Sequence, residues 1–257
     1  MNENPIYYGD RAEFEDILKL GSAIDKIKGL RALCNDLQYS GLGYRKTLFA
    51  EYYNVSDKMI DDLLKCPADQ RKTLCWEQEV NPYIFHTLFD YNAYQPCYEV
   101  YRHLDAIIDF QNISVLDYGC LVSDYGFFFG MLGSKISICD FKEYVDFASF
   151  RLSRHNIAHK VHYAPTPYSI VTEDIDMAIF GEVLEHLDDP LELLEACVEN
   201  SVSLIYTTCY PFGDDAYFNL TGHSKEAQRQ APDSLALLRR NFHEIKFDKF
   251  RRLWILK

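Results

Sequence analysis

Residues 113–140 constrain the fold of this chain more than any other segment. The run Ile113-Ser114-Val115-Leu116 is short and partly β-branched, and it ends on Asp117 before breaking into Tyr118-Gly119-Cys120. Such a run, stopped by Asp and Gly, predicts a buried parallel strand that feeds a tight turn. Asp124 is placed to cap a helix over 125–132, which is aromatic and apolar and is closed by Gly133. A second strand over 135–139 then stops on Asp140. The unit is therefore strand, turn, helix, strand, with an acid at the tip of each strand. In an open α/β sheet, ligands bind at the carboxyl ends of the strands. A glycine turn lets the backbone approach there, and an acid after the second strand can accept both ribose hydroxyls. The expectation is a nucleoside site.

The pattern continues downstream. A helix is expected over 143–153, a third strand over 160–163, and a fourth over 175–180 that ends at Gly181-Glu182. Pro190 sits favourably at the start of a helix over 190–200. A fifth strand over 203–208 runs into the irregular loop Cys209-Tyr210-Pro211-Phe212-Gly213. A helix over 233–241 and two closing strands, 243–248 and 251–256, complete the segment. Strands alternating with helices predict an α/β fold, a seven-stranded sheet with helices on both faces. Upstream, apolar residues from Phe14 to Leu64 recur at three- and four-residue steps, which is a helical pattern. The chain divides accordingly into an α-helical region, 1–104, and a sheet domain, 105–257. The helical region would cover the ligand edge as a lid or substrate region, or form a homodimer contact. Its aromatics (Tyr83, Phe85, Phe89, Tyr91, Tyr94, Tyr98 and Tyr101) either line a pocket or form core.

Charge and composition narrow the partners. A net charge of -13 disfavours a duplex or large RNA, whose phosphates call for a basic surface, and leaves a small molecule as the expected substrate. No apolar run is long enough to span a bilayer, and Met1-Asn2-Glu3-Asn4-Pro5 lacks the basic and apolar regions of a signal peptide, so a cytoplasmic location is expected. The eight cysteines are scattered without a C-x-x-C pair, which indicates buried thiols rather than a zinc site or a disulfide framework.

The order Val115-Leu116-Asp117-Tyr118-Gly119-Cys120, with Asp140 after the next strand, resembles the first motif of class I S-adenosylmethionine (SAM) dependent methyltransferases, V-L-D-x-G-C-G-x-G. The family's fourth motif is matched by the run from Ile175 to Pro190, which contains Phe180-Gly181-Glu182-Val183-Leu184-Glu185-His186. The resemblance covers residues 105 to 257 and implies a Rossmann-like methyltransferase sheet. It departs from the family at Leu121 and Ser123, where the second and third glycines fall, so side chains stand where backbone usually meets the methionine part of SAM. The next glycine is Gly126.

From that resemblance, Asp117, Gly119, Cys120, Asp140, Phe141, Tyr163 and Gly181 would bind SAM. Asp140 would take the ribose hydroxyls, Phe141 would pack on adenine, and Tyr163 would lie near the base edge. Glu182, His186 and His223 would act on the acceptor. In two subgroups of the family the pattern E-x-x-E-H binds a divalent ion, and Glu182, Glu185, His186 and His223 are the residues that would hold one here. In other members E-V-L-E-H-L works without metal, with Glu facing SAM or the acceptor and His capping the helix. The reading adopted takes SAM as the cofactor and requires no metal. The implied activity is methyl transfer to an O, N or C acceptor of a small molecule. The alternatives are an enzyme that transfers or cyclises the aminocarboxypropyl chain, and a non-catalytic binding protein.

Overall fold

The computed structural model describes residues 94–164, 168–172, 174–210 and 223–257. The helices expected upstream of Tyr94, and the loop segment 211–213, lie outside the described residues.

The described elements run α1 (Tyr94–Leu104), β1 (Ser114–Tyr118), α2 (Asp124–Met131), β2 (Lys135–Asp140), α3 (Lys142–Arg154), β3 (His159–Tyr163), β4 (Met177–Phe180), α4 (Pro190–Glu199), β5 (Leu204–Thr208), α5 (Lys225–Asn241), β6 (Phe242–Lys246) and β7 (Arg251–Leu256), with single 3₁₀ turns at Tyr168–Ile170 and Leu184–His186. The seven strands form one sheet in the order β3-β2-β1-β4-β5-β7-β6. β1 pairs in parallel with β2 on one side and β4 on the other, and β4 pairs in parallel with β5. β7 joins β5 antiparallel and closes the sheet as a hairpin with β6. The chain builds outward from β1 to β3, then crosses back to β4, so the topological switch lies between β1 and β4. The crevice that opens at such a point is where an α/β sheet binds its ligand.

Both faces of the sheet are covered, and alternation along each strand assigns residues to two cores. Val115, Ile136, Ile138, Met177, Ile179, Leu204, Tyr206 and Leu253 pack in one core. Their neighbours Leu116, Cys139, Ala178, Phe180, Ile205 and Trp254 pack in the other with Leu193, Leu194, Leu237 and Leu238 of α4 and α5. The first core also takes Cys97, Val100 and Leu104 of α1 and the three rings Phe127, Phe128 and Phe129 of α2. A helix apolar on all sides must be enclosed, and all three of those rings are fully buried. Each contributes about 1.5–3 kcal/mol of burial. Tyr101 lies against Phe110 and Phe128, with ring centroids 5.5 and 6.4 Å away, so among the aromatics read as pocket or core this one is core.

Two local expectations are corrected. Asp124 was expected to cap α2, but the N-cap position belongs to Ser123, in the left-handed region and making no side-chain cap bond, and Asp124 is the first helical residue. Its carboxylate is drawn away from the helix end by Arg151, 2.7 Å distant. Similarly, α5 begins at Lys225 and runs through Pro232, two turns before the expected start at Asp233. Ser224 caps it by accepting from the Ala227 N–H, and the Gln230 side chain accepts from the Leu191 N–H at the start of α4. These contacts stabilise a helix that the proline alone would disfavour.

A buried side-chain hydrogen bond adds to the backbone ladder between β7 and β5: the Trp254 indole N–H donates to Thr207 Oγ1 at 3.1 Å, with both residues fully buried. Trp254→Phe deletes the donor and part of the ring, so urea unfolding is expected to show a loss of about 1–3 kcal/mol with unchanged m-value. A loss below about 0.5 kcal/mol would mean that this contact does not anchor the hairpin.

Candidate functional site

The turn after β1 is built around two buried carboxylates. Asp117 Oδ2 accepts from Ser123 Oγ at 2.8 Å and from the Gly126 N–H at 3.0 Å. Asp140, at the tip of β2, accepts from the Leu121 N–H through Oδ2 and from the Phe141 N–H through Oδ1, each at 2.7 Å. Burial pushes the Asp117 carboxyl up to about 7 and that of Asp140 to about 6, with the hydrogen bonds opposing the rise. Burial likewise raises the Cys120 thiol well above its usual range, with Asp140 adding to the effect, so this cysteine is a neutral part of the wall.

The loop follows a glycine-type path without the glycines. Gly119 has φ 70°, and a Cβ there would come within 2.4 Å of Val183, so this glycine is required both by conformation and by space. Leu121 (φ 45°) and Ser123 (φ 53°) adopt the left-handed region although each carries a side chain. Gly126 provides the compensating room: a Cβ on it would lie 2.2 Å from Ser123 Oγ, so its absence lets that hydroxyl reach Asp117. Beyond Asp140, the rings of Phe141 (44% exposed) and Tyr163 (50% exposed) stand open at the ends of β2 and β3. The Tyr163 hydroxyl donates to Asp146 at 3.3 Å.

A second group forms where the loops after β4 and β5 meet. Gly181 leaves space for the Tyr125 ring, which would be 2.6 Å from a Cβ at that position. Glu182 is left-handed (φ 57°), and its N–H donates to Thr208 Oγ1 at 2.6 Å. The Cys209 thiol, on another left-handed residue (φ 60°), donates to Glu182 Oε1 at 2.7 Å. Four of the six left-handed non-glycine residues among the described ones thus lie in these loops: Leu121, Ser123, Glu182 and Cys209. Strain of this kind, about 1–3 kcal/mol per residue, gathers at functional sites.

Glu185 is fully buried, and neither carboxylate oxygen has a hydrogen-bond partner. Desolvation, followed by the neighbouring Glu182 carboxylate, raises its pKa well above the usual range. The Ser224 N–H donates to the Glu185 carbonyl at 2.8 Å, which brings the start of α5 against this turn. His223 therefore meets His186 edge to face, with centroids 4.8 Å apart. Burial lowers His223 to about 4, so its imidazole is neutral at physiological pH. Potential ligand atoms of Glu185, His186 and His223 lie within 4.8 Å of one another, and so do those of Glu182, Glu185 and Cys209.

The expected site residues thus fall into two groups at the carboxyl edge. Asp117, Gly119, Cys120, Asp140, Phe141 and Tyr163 lie at the tips of β1 to β3, while Gly181, Glu182, Glu185, His186 and His223 gather beside β4 and β5. Val183 against Gly119 is where the two groups touch. Tyr125, Thr208 and Cys209 were not singled out by the sequence reading. For Tyr125 the available signal was Gly181, whose missing side chain makes room for its ring.

No family model matches the sequence, and no curated protein matches it. Solved structures do. A candidate O-methyltransferase from Nostoc punctiforme PCC 73102 shares 11% identity, with 68% of this chain and 60% of that chain covered and a TM-score of 0.51. The O-methyltransferase TomG from Streptomyces achromogenes, involved in tomaymycin synthesis and solved in complex with SAM, shares 12%, with 67% and 86% covered and a TM-score of 0.49. EvdMO1 shares 17%, with 65% and 41% covered and a TM-score of 0.46. The aligned part of this chain thus spans 41% of EvdMO1 and 60% of the Nostoc protein. The fold is the class I methyltransferase fold, an α/β sheet of seven strands with helices on both faces.

The raised pKa values give a signed pH dependence. Both carboxyls bind protons more tightly folded than unfolded, so the associated stability is present below about pH 4 and is lost as pH rises through about 6 for Asp140 and 7 for Asp117. Asp117→Asn mimics the protonated form. In the ligand-free protein its stability relative to wild type is therefore expected to increase between pH 5 and 8, by at most about 1.4 kcal/mol per pH unit. Urea melts across that range check this, and a flat difference would remove the assignment of a high pKa to Asp117.

Proposed function

We propose that the chain is a SAM-dependent methyltransferase acting on a small-molecule acceptor. The observation that carries this reading is the pair of strand-tip acids bridged by one loop, with Asp140 beside two exposed aromatic rings. Asp140 suits a ribose diol, because each of its oxygens accepts one backbone N–H and retains a further lone pair. Phe141 offers an exposed apolar face that a purine would cover, and Tyr163, paired with Asp140 across β2 and β3, is assigned to the base edge. Gly119 and Cys120 supply backbone at the turn, and Asp117 holds that turn in shape. The residues present therefore fit the cofactor despite Leu121 and Ser123.

When bound, SAM supplies a methyl group already activated on a sulfonium, so the protein's part is alignment and exclusion of water, with at most one base. Gly181 and Glu182 border the space on the β4 side, and Glu182, His186 and His223 are the groups placed to act on the acceptor. His223, with its lowered pKa, is a weak base but a good neutral ligand. The part of region 1–104 that precedes α1, which the sequence reads as helical, is assigned to covering the acceptor or to contact with a second copy of the chain.

Calorimetric titration with SAM and with S-adenosylhomocysteine tests the reading. Saturable binding is expected, weakened about tenfold or more by Asp140→Ala, equivalent to about 1.4 kcal/mol or more. No binding of either ligand would leave a methyltransferase fold put to another use. Formation of methylthioadenosine rather than S-adenosylhomocysteine would instead identify transfer of the aminocarboxypropyl chain.

One observation favours a cation at the second group. Glu185 is a fully buried carboxyl without a hydrogen-bond partner, beside a second carboxylate, and such a group stays neutral by holding a proton or is compensated by a positive ion. Glu182, Glu185, His186 and His223 form a donor set suited to Mg²⁺, Mn²⁺ or a tighter transition metal. With a bound ion, excess Mn²⁺ should raise Tm by about 5 °C or more, and Glu185→Gln or His223→Ala should abolish the increase. An unchanged wild-type Tm would assign the pair Glu182 and Glu185 to a shared proton.

A further inference from the structure

Arg151 is a fully buried guanidinium that the activity proposed above does not use. It projects from α3, and its Nη1 donates to the Val122 carbonyl and to Asp124 Oδ1, both at 2.7 Å. Its guanidinium carbon lies 4.6 Å from the centroid of the Phe127 ring. Val122 is the residue between Leu121 and Ser123, the two left-handed positions that carry side chains. The consecutive loop residues are therefore each tied to a buried charged group: the Leu121 N–H to Asp140, the Val122 carbonyl to Arg151, and the Ser123 hydroxyl to Asp117.

A non-glycine residue enters the left-handed region only where its surroundings hold it there. Released, Leu121 would relax to negative φ, and its N–H would turn away from Asp140. A buried guanidinium is suited to prevent this, because its Nη1 donates to the carbonyl and the carboxylate together and the group stays charged when buried. We propose that Arg151 is a positioning residue for the cofactor loop, holding Leu121 and Ser123 in the conformation that glycines would adopt without support, and so fixing Asp140 for the ligand. The assignment to a cofactor rests on the methyltransferase reading, whereas the restraint on the loop does not.

The alternative is a buried ion pair that merely stabilises the α2–α3 packing. A mutant cycle separates the two. Arg151→Met combined with Asp124→Asn removes the pair without stranding a charge, and the same change is made in a Leu121→Gly background. A positioning role predicts that the double variant binds S-adenosylhomocysteine about tenfold or more weakly than wild type, and that this loss shrinks to about threefold or less when residue 121 is glycine and needs no restraint. An equal loss in both backgrounds would overturn the proposal.

Native-state hydrogen exchange reads the same restraint without ligand. The Leu121 amide should exchange at least about tenfold faster in the double variant, while the Ile138 amide in the middle of β2 changes less. Equal acceleration at both amides would indicate global destabilisation and would also overturn the proposal. If wild type binds no S-adenosylhomocysteine, the cofactor reading fails, and the exchange result alone decides whether Arg151 restrains the loop. Should the double variant not fold, Arg151→Gln combined with Asp124→Asn, which keeps polar side chains at both positions and shortens the donor that reaches Val122, is measured by the same two readouts and judged by the same outcomes.

Discussion

Desolvation of two carboxylates at neighbouring strand tips is the constraint on which the ligand edge depends. Asp140 lies close enough to add to the unfavourable surroundings of Asp117, and neither carboxylate has an ion-pair partner among the described residues. Their partners are instead short-range dipoles: two backbone N–H groups for Asp140, and a hydroxyl and a backbone N–H for Asp117. Two of those four donors, the Leu121 N–H and the Ser123 hydroxyl, come from the single turn between β1 and α2, and a third, the Gly126 N–H, from the first turn of α2. Supplying them requires the chain to pass through left-handed conformations at Leu121 and Ser123, so the electrostatic requirement and the backbone strain are two sides of one arrangement. Glycine would make the conformation easier but would not supply the Ser123 hydroxyl that Asp117 accepts.

The other half of the edge follows a different logic. Glu182 and Cys209 both adopt left-handed backbone, and they are linked through the thiol and through the Thr208 hydroxyl that receives the Glu182 N–H. The Cys209 N–H in turn donates to the Phe250 carbonyl in the turn between β6 and β7. The antiparallel hairpin that closes the sheet thereby helps to fix a loop at its ligand edge. The Trp254 contact with Thr207 carries the same linkage one residue further back along β5.

The central strands β1, β2, β4 and β5 were legible in the sequence because they are apolar runs buried on both faces. The acids at the tips were legible because a carboxylate ending an apolar run has few structural uses. What was not legible depended on contacts across long sequence separations. Asp124 follows a turn and precedes an apolar run, which is how an N-cap reads, yet Arg151, 27 positions away, claims its carboxylate. Pro232 marks a helix boundary in local chemistry, yet the Ser224 cap and the Gln230 contact with α4 carry the helix past it. Arg151 carries no local signal that marks it as buried. Its burial is seen only in the folded chain, where the guanidinium lies over the Phe127 ring and reaches Val122 and Asp124 at long sequence separation. His223 could be suggested as a partner of His186 only through the family resemblance. Its position follows from one backbone hydrogen bond, Ser224 to Glu185, that no local pattern announces.

Glu185 connects these observations to chemistry. A carboxylate with no donor, no exposure and a second carboxylate alongside cannot persist as a bare anion, because the desolvation cost far exceeds what distant dipoles return. Protonation makes it the donor of a carboxyl–carboxylate hydrogen bond to Glu182, and one negative charge then remains for the pair. A divalent ion would leave both ionised, and His223, whose imidazole burial keeps neutral at physiological pH, would be available to it without losing a proton. The two states differ by one proton and one cation at the same position. The protonation of Glu185 and the occupancy of this group are therefore linked: acid favours the proton-sharing pair, and rising pH strengthens the hold of these side chains on a cation.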